Sequence, residues 1–240
     1  MDRVDQVKEG IMAMNRRTKM HVQLASLLAL VGALIGCGPN NLAMLLYPFQ
    51  DDKIEAKCKL ARKDREVTVV VAAKFELPEL RAEVGPLDQE LAEALSQHIR
   101  KSAGENKEKI KIVPPLRVQP HLAKLGDWDH ASLIRIGEQL KADYVICLTA
   151  ANVKLVMPNS FNVFYQGRAE VQVKVFDAKL PLLEAMILNE TYNCEYPTSR
   201  PIETEGTSPA AFRARFVNKM AKDLGRWFVA YPKDSRFELE

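Results

Sequence analysis

Hydrophobic and polar positions follow several different periods along this chain, and each change of period marks an element. Residues 24–36 form an uninterrupted apolar or small run, Leu-Ala-Ser-Leu-Leu-Ala-Leu-Val-Gly-Ala-Leu-Ile-Gly. Val67 to Ala73 is a second such run, rich in β-branched residues, the pattern of a strand buried on both faces. After Pro86 and Asp88, Leu87, Leu91, Leu95 and Ile99 recur every four residues and predict a helix to about Ser102. Gly104-Glu105-Asn106 breaks that period, and Ile110 to Val113 reads as a second strand halted by Pro114-Pro115. Asp129 is placed to cap a second helix carrying Leu133, Ile136 and Leu140, and Ala142 to Thr149 is a third apolar strand.

Arg168 to Val175 alternates polar and apolar without error, which predicts a half-buried antiparallel strand. Leu183 to Tyr192 is its expected hairpin partner, although Leu183-Glu184-Ala185-Met186 also has helical propensity. Ser208-Pro209 caps a final helix with an apolar stripe of Phe212, Phe216, Met220, Leu224, Trp227 and Tyr231. The order βαβαβββα implies an α/β fold with a mixed sheet and helices packed on it. No internal repeat or low-complexity segment interrupts it.

The amino-terminal run belongs to a different kind of element. It follows a basic stretch, Met14-Asn15-Arg16-Arg17-Thr18-Lys19-Met20-His21, and together the two have the layout of a secretory signal. The more acidic residues 1–13 exceed what such a signal requires, so Met12, Met14 and Met20 stand beside Met1 as start sites. Leu34-Ile35-Gly36-Cys37 ends the run and resembles the lipobox of bacterial lipoproteins. The resemblance implies cleavage between Gly36 and Cys37 and a diacylglycerol thioether on Cys37. Two other readings remain open: an uncleaved membrane anchor, and a chance Cys after an ordinary signal. The first is disfavoured by length, since a span needs about 20 apolar residues. His21 and Gln23 limit the run upstream and Gly38-Pro39-Asn40-Asn41 limits it downstream.

The expected organisation is a signal over residues 1–36, a lipid-anchored tether over 37–65, the α/β domain over 66–232 and a tail over 233–240. Within the tether, Leu42 to Phe49 is apolar and Gln50 to Glu66 is dense in charge, the composition of a spacer. Two acyl chains hold a protein at a bilayer essentially permanently, at about 0.8 kcal/mol per buried methylene. The expected location is therefore the cell envelope, on the periplasmic face, anchored to the inner or outer membrane.

Charge changes the picture only by exclusion. The full chain carries +3, but residues 1–36 hold five basic and three acidic side chains. The remaining 29 basic and 28 acidic residues leave +1, too little concentrated positive field for nucleic acid to be an expected partner. Of the other cysteines, Cys147 sits in the apolar Tyr-Val-Ile-Cys-Leu and reads as a small buried hydrophobe. Cys58 and Cys194 are either free or paired with each other, which an exported location permits.

The element order, with Lys141-Ala142-Asp143-Tyr144-Val145-Ile146 after a helix and Val173-Lys174-Val175-Phe176-Asp177 before a turn, resembles a broad class of envelope domains. It includes the amino-terminal domain of the Tol translocation protein, the curli-secretion lipoprotein and penicillin-binding-protein activator lipoproteins. The likeness covers roughly residues 66–230, and Ala178-Lys179-Leu180-Pro181 replaces the Thr-Gly common after the later Asp. Gly126-Asp127-Trp128-Asp129-His130 and Tyr165-Gln166-Gly167-Arg168 resemble uncharacterised lipoproteins. The resemblance implies fold and envelope placement and supplies no catalytic residue.

No motif for a nucleophile elbow, a phosphate loop or a zinc protease is present, so neither a cofactor nor a metal is expected. His121 and Asp127-Trp128-Asp129-His130 make the densest local cluster, and helix capping with aromatic packing explains it better than a metal or proton site. Asp143 and Asp177 flank strands as turn or cap residues. The loop Pro158 to Tyr165, with Phe161, Phe164 and Tyr165, either binds a partner or folds onto the core. The expected role is a non-catalytic envelope component that binds other proteins or self-associates; the alternative is an exported α/β enzyme whose site is dispersed in sequence.

Overall fold

The computed structural model describes residues 53–77, 79–125 and 128–233. Gly36, Cys37 and the signal lie outside them, as do Gly126 and Asp127. Among the described residues there are eight strands: β1 (Lys53–Ile54), β2 (Val67–Phe75), β3 (Ile110–Ile112), β4 (Tyr144–Val156), β5 (Phe164–Asp177), β6 (Met186–Tyr196), β7 (Ile202–Glu203) and β8 (Tyr231–Pro232). The helices are α1 (Leu80–Val84), α2 (Leu87–Glu105), α3 (Pro115–Leu122), α4 (His130–Gln139) and α5 (Pro209–Phe228).

The main sheet runs β3-β2-β4-β5-β6, with β7 added to the start of β5. β2 lies parallel to both β3 and β4, while β5 is antiparallel to β4 and β6. The sheet is mixed and helices cover it, as the α/β patterning predicts. β2 takes an interior place, between β3 and β4, because its run of Val and Ala can be buried on both faces. Val69 and Val71 point into one core beneath α2 and α5, and Val70 and Ala72 into a second beneath α3 and α4.

The helices cover the two faces unequally. α2 and α5 line one face with Leu91, Leu95, Ile99, Phe212, Phe216 and Met220, all fully buried. On the other face α3 and α4 reach only β2, the start of β4 and Phe176 of β5. The strict alternation of β5 follows from this. Val171, Val173 and Val175 enter the α2/α5 core, while Arg168, Glu170, Gln172 and Lys174 face the uncovered side.

Several elements differ from the sequence expectation. Pro114-Pro115 does not merely halt β3; Pro115 opens α3, where the first helical position has no intrahelical use for an N–H. On α5 the buried stripe continues to Phe228, fully buried, whereas Trp227 sits on the flank and Tyr231 lies beyond the helix in β8. Leu183 is not in a strand. Lys179 N–H donates to Asp177 Oδ1 at 2.9 Å and Glu184 N–H to Pro181 O at 2.8 Å. These turns occupy the connection, so β6 starts at Met186.

The segment expected to be a spacer is packed from Lys53 onward. β1 pairs antiparallel with β8, and Cys58 N–H donates to Trp227 O at 2.7 Å. Leu60 is fully buried, Arg62 binds Asp177 and Tyr144, and Arg65 binds Asp143. Charge density suggested a solvated tether. Leu60 and the two buried aspartates waiting for cations instead make residues 53–66 a strap on the domain.

Candidate interaction surface

β6 is the last strand of the main sheet, and among the described residues it pairs with β5 alone. Its eleven residues, Met186-Ile187-Leu188-Asn189-Glu190-Thr191-Tyr192-Asn193-Cys194-Glu195-Tyr196, therefore present one row of backbone donors and acceptors to solvent. From Leu188 onward the even-numbered side chains turn toward α5: Tyr192 Oη donates to Asp223 Oδ2 at 2.7 Å and its ring meets Trp227 edge-on at 6.1 Å. Burial and its hydrogen bond to Asp223 hold the Tyr192 phenol far above its ordinary pKa, so it stays protonated as that donor. Odd-numbered side chains, Asn189, Thr191, Asn193 and Glu195, lie opposite Lys174, Gln172, Glu170 and Arg168 of β5 on the uncovered face.

Each carboxylate on this edge already has a cation. Glu190 pairs with Lys57 from the strap, and Glu195 with Arg168 at 3.1 Å. Gln166 Nε2 also donates to Glu195 at 2.7 Å. Across the top of the same face, Asn152, Lys154, Arg168, Glu170, Asn193 and Glu195 border an open depression of about 610 Å³. Asn152 adopts a positive φ of 49° where the β4–β5 register slips, and its amide donates to Glu170 at 3.0 Å.

The hairpin entering β6 carries an apolar patch. Leu180, Leu182, Leu183, Met186 and Ile187 are all substantially exposed, Leu183 to 98%. No core packing accounts for five large apolar side chains within eight residues, and contiguous exposure of this kind marks contact sites. In sequence the cluster reads as the start of a strand, which hid it.

The three loop aromatics separate. Phe161 is 97% exposed, at φ 49° in a tip where Asn159 and Asn162 are also left-handed. Phe164 is half-buried at the start of β5. Tyr165 is 6% exposed and stacks on Phe212 with centroids 4.7 Å apart, so it belongs to the core and not to a binding loop. Of the two outcomes foreseen for this loop, folding onto the core holds for Tyr165, while Phe161 stands exposed.

The His121 and His130 region is structural. Asp129 caps α4 by accepting from Ser132 N–H at 2.6 Å, and that bond holds its carboxyl below the usual range. His130 lies against Phe176 at 5.1 Å and His121 Nδ1 meets Gln139 at 2.9 Å. Trp128 packs on the α3/α4 core with Lys74 over its ring at 5.3 Å. Among the described residues no group of three His, Cys, Asp or Glu is arranged to hold a metal ion, and no helix is long and apolar enough to cross a membrane.

Asp143 and Asp177 are both buried and close the strap. Asp143 accepts from Thr68 N–H at 2.9 Å and from Arg65 at 2.8 Å. Burial pushes its carboxyl up, but those two partners outweigh it and leave it below the ordinary carboxylate value. Asp177 accepts from Arg62 at 2.8 Å, and Arg62 also donates to Tyr144 Oη at 3.0 Å. Among the described residues the cysteines are free thiols, with Cys147 and Cys194 buried and Cys58 half-buried; burial pushes each of the three up to about 11.

No protein-family model and no curated protein matches the chain. Solved structures of similar shape include a PelC dodecamer from Paraburkholderia phytofirmans, 10% identical, covering 71% of this chain and 92% of that one at a TM-score of 0.39. Lipoprotein GNA1162 from Neisseria meningitidis is 8% identical over 61% of this chain and 90% of its own, at 0.39. Protein XCC0632 from Xanthomonas campestris is 9% identical over 72% and 91%, at 0.41. All three scores lie below 0.5, and the fold class rests on the chain's own sheet and helices.

Proposed function

We propose that this protein is a membrane-tethered lipoprotein of the cell envelope, held by lipid on Cys37, whose domain acts without catalysis by binding a protein partner or its own copies. The observation that carries this reading is the pairing of an eleven-residue open edge, β6, with the exposed apolar hairpin that leads into it. Leu180, Leu183 and Ile187 supply apolar contact beside a backbone able to accept another strand. The lipobox Leu34-Ile35-Gly36-Cys37 supports the anchor, and the near-neutral charge of residues 37–240 supports a protein partner over a polyanion.

The anchor and the edge are tested separately. Cys37→Ser should leave the precursor unprocessed, and mass spectrometry of the wild type should find an acylated Cys37 as first residue; an unacylated amino terminus upstream of it refutes the tether. For the edge, the protein and a Leu183→Asp/Ile187→Lys variant are captured from native membranes. An envelope protein or a second copy recovered with the former and lost with the latter supports the reading, and equal recovery with both refutes it.

A further inference from the structure

We propose that β6 is the seam of a symmetric dimer, pairing antiparallel with β6 of a second copy of this chain about a two-fold axis through Thr191. This deepens the reading of β6 as an interaction edge and rests on it. Long edge strands are ordinarily guarded by Lys, Pro or a mid-strand bulge. Between Met186 and Tyr196 there is no Lys, Arg or Pro, and the register slips only at the start, opposite Val175 and Phe176. The edge is left open along its length.

The strand's own sequence selects the register. Thr191 is the midpoint of Met186–Tyr196, so a two-fold there pairs all eleven residues. On the uncovered face Thr191 meets itself, Asn189 meets Asn193, and Ile187 meets Glu195. On the α5 side Glu190 meets Tyr192 and Leu188 meets Cys194; the slip opposite Val175 and Phe176 turns Met186 to the Phe176 face, so only its backbone pairs with that of Tyr196. From Ile187 to Glu195 every pair keeps its face, and no two like charges stand directly opposite. The two Glu190 side chains come onto a diagonal, where each is already neutralised by Lys57 of its own protomer. Glu195 is likewise held by Arg168.

Neighbouring registers fare worse. A two-fold at Glu190 sets that carboxylate against its own copy, one at Tyr192 leaves the exposed Met186 and Ile187 opposite Thr198 and Pro197 beyond the strand, and an axis between two residues exchanges the faces. At Thr191 the two copies continue each other's sheet through β3-β2-β4-β5-β6 and its reverse. Met186 and Ile187 of each copy then reach the Tyr196 end of the other, which covers part of the exposed hairpin.

Cysteine trapping in the full chain tests the register. A disulfide needs Cα atoms about 4.4–6.8 Å apart, and facing residues of antiparallel strands sit about 4.5–5.5 Å apart. Thr191→Cys should form a covalent homodimer under mild oxidation, while the wild type, with its own cysteines, should not. Asn189→Cys and Asn193→Cys should each fail to link to themselves and should link when mixed. Thr191→Cys that melts like the wild type yet links no more than the wild type overturns the proposal, as does Asn189→Cys linking to itself. Wild-type protein that sediments as a monomer, with β6 amides protected from hydrogen exchange only when a different protein is added, also overturns self-pairing. That last result leaves the edge reading standing, whereas β6 amides that stay exchangeable with any partner defeat both.

Discussion

The rings of Tyr165 and Phe212 lie 4.7 Å apart with planes 12° from parallel, one from the second residue of β5 and the other from the first turn of α5. Phe212 also stacks toward Phe216 and Tyr196, so a column of aromatics ties the start of α5 to the ends of β5 and β6. The tip three residues before Phe164 is outside that column, and the β4–β5 connection divides into a core half and a solvent half.

Substitution should expose the division. Tyr165→Ala removes a buried, stacked ring and is expected to cost about 3–5 kcal/mol. Phe161→Ala, at a fully exposed tip, should change stability by less than about 0.5 kcal/mol. Urea unfolding followed by circular dichroism measures both. Comparable losses at the two positions would contradict the placement of Phe161.

Gly167 makes a second contrast. A Cβ there would meet the Phe216 ring at 2.7 Å, so Gly167→Ala must displace a buried aromatic and should destabilise by about 1–3 kcal/mol. Gly104 has nothing within 4 Å of such an atom and lies in α2, so Gly104→Ala should stabilise by up to about 1 kcal/mol. Thermal melts of the two variants should move in opposite directions.

The strap predicts a pH dependence. Asp143 is held below the ordinary carboxylate range in the folded state, so its contribution is complete above the unfolded value, near 3.9, and fades as pH falls through the lower folded value. Asp143→Ala should cost about 1–3 kcal/mol at neutral pH, because the Thr68 N–H loses its acceptor. Arg65→Ala, losing only a half-exposed cation, should cost under about 1 kcal/mol. The gap between wild type and Asp143→Asn should narrow below about pH 4; a gap constant down to pH 2 would contradict the assignment.

The thiols should be slow. With each pushed up to about 11, the thiolate fraction at pH 8 is on the order of one in a thousand. Peptide mass spectrometry after iodoacetamide should find Cys147 and Cys194 unmodified in folded protein and modified in urea. Rapid labelling of Cys147 without denaturant would contradict its burial.

Much of the fold was legible because periodicity reports burial directly. The four-residue spacing of Leu87, Leu91, Leu95 and Ile99 and the alternation from Arg168 to Val175 each describe one buried face, and each became the element expected. The Asp129 and Ser208 caps were also correct, since a cap is a local bond to a backbone N–H three residues on. The strap was not legible. Lys57, Arg62 and Arg65 look like solvated charge until their partners Glu190, Asp177 and Asp143 are known, and those lie far along the chain. The exposed hairpin was missed for the opposite reason. Leu182 and Leu183 are apolar residues in a turn, and pattern alone assigns apolar residues to a core.

The strap has a mechanical consequence. Tension entering at Lys53 meets the short β1–β8 pairing first, then the Cys58–Trp227 backbone bond, then the buried Leu60, then Arg62 on Asp177 and Arg65 on Asp143, and only then β2 inside the sheet. These attachments yield in sequence rather than together, so the segment pays out as a graded fuse. Fully released, residues 53–66 are worth up to about 45–50 Å of extra chain, all of it from outside the six-stranded sheet.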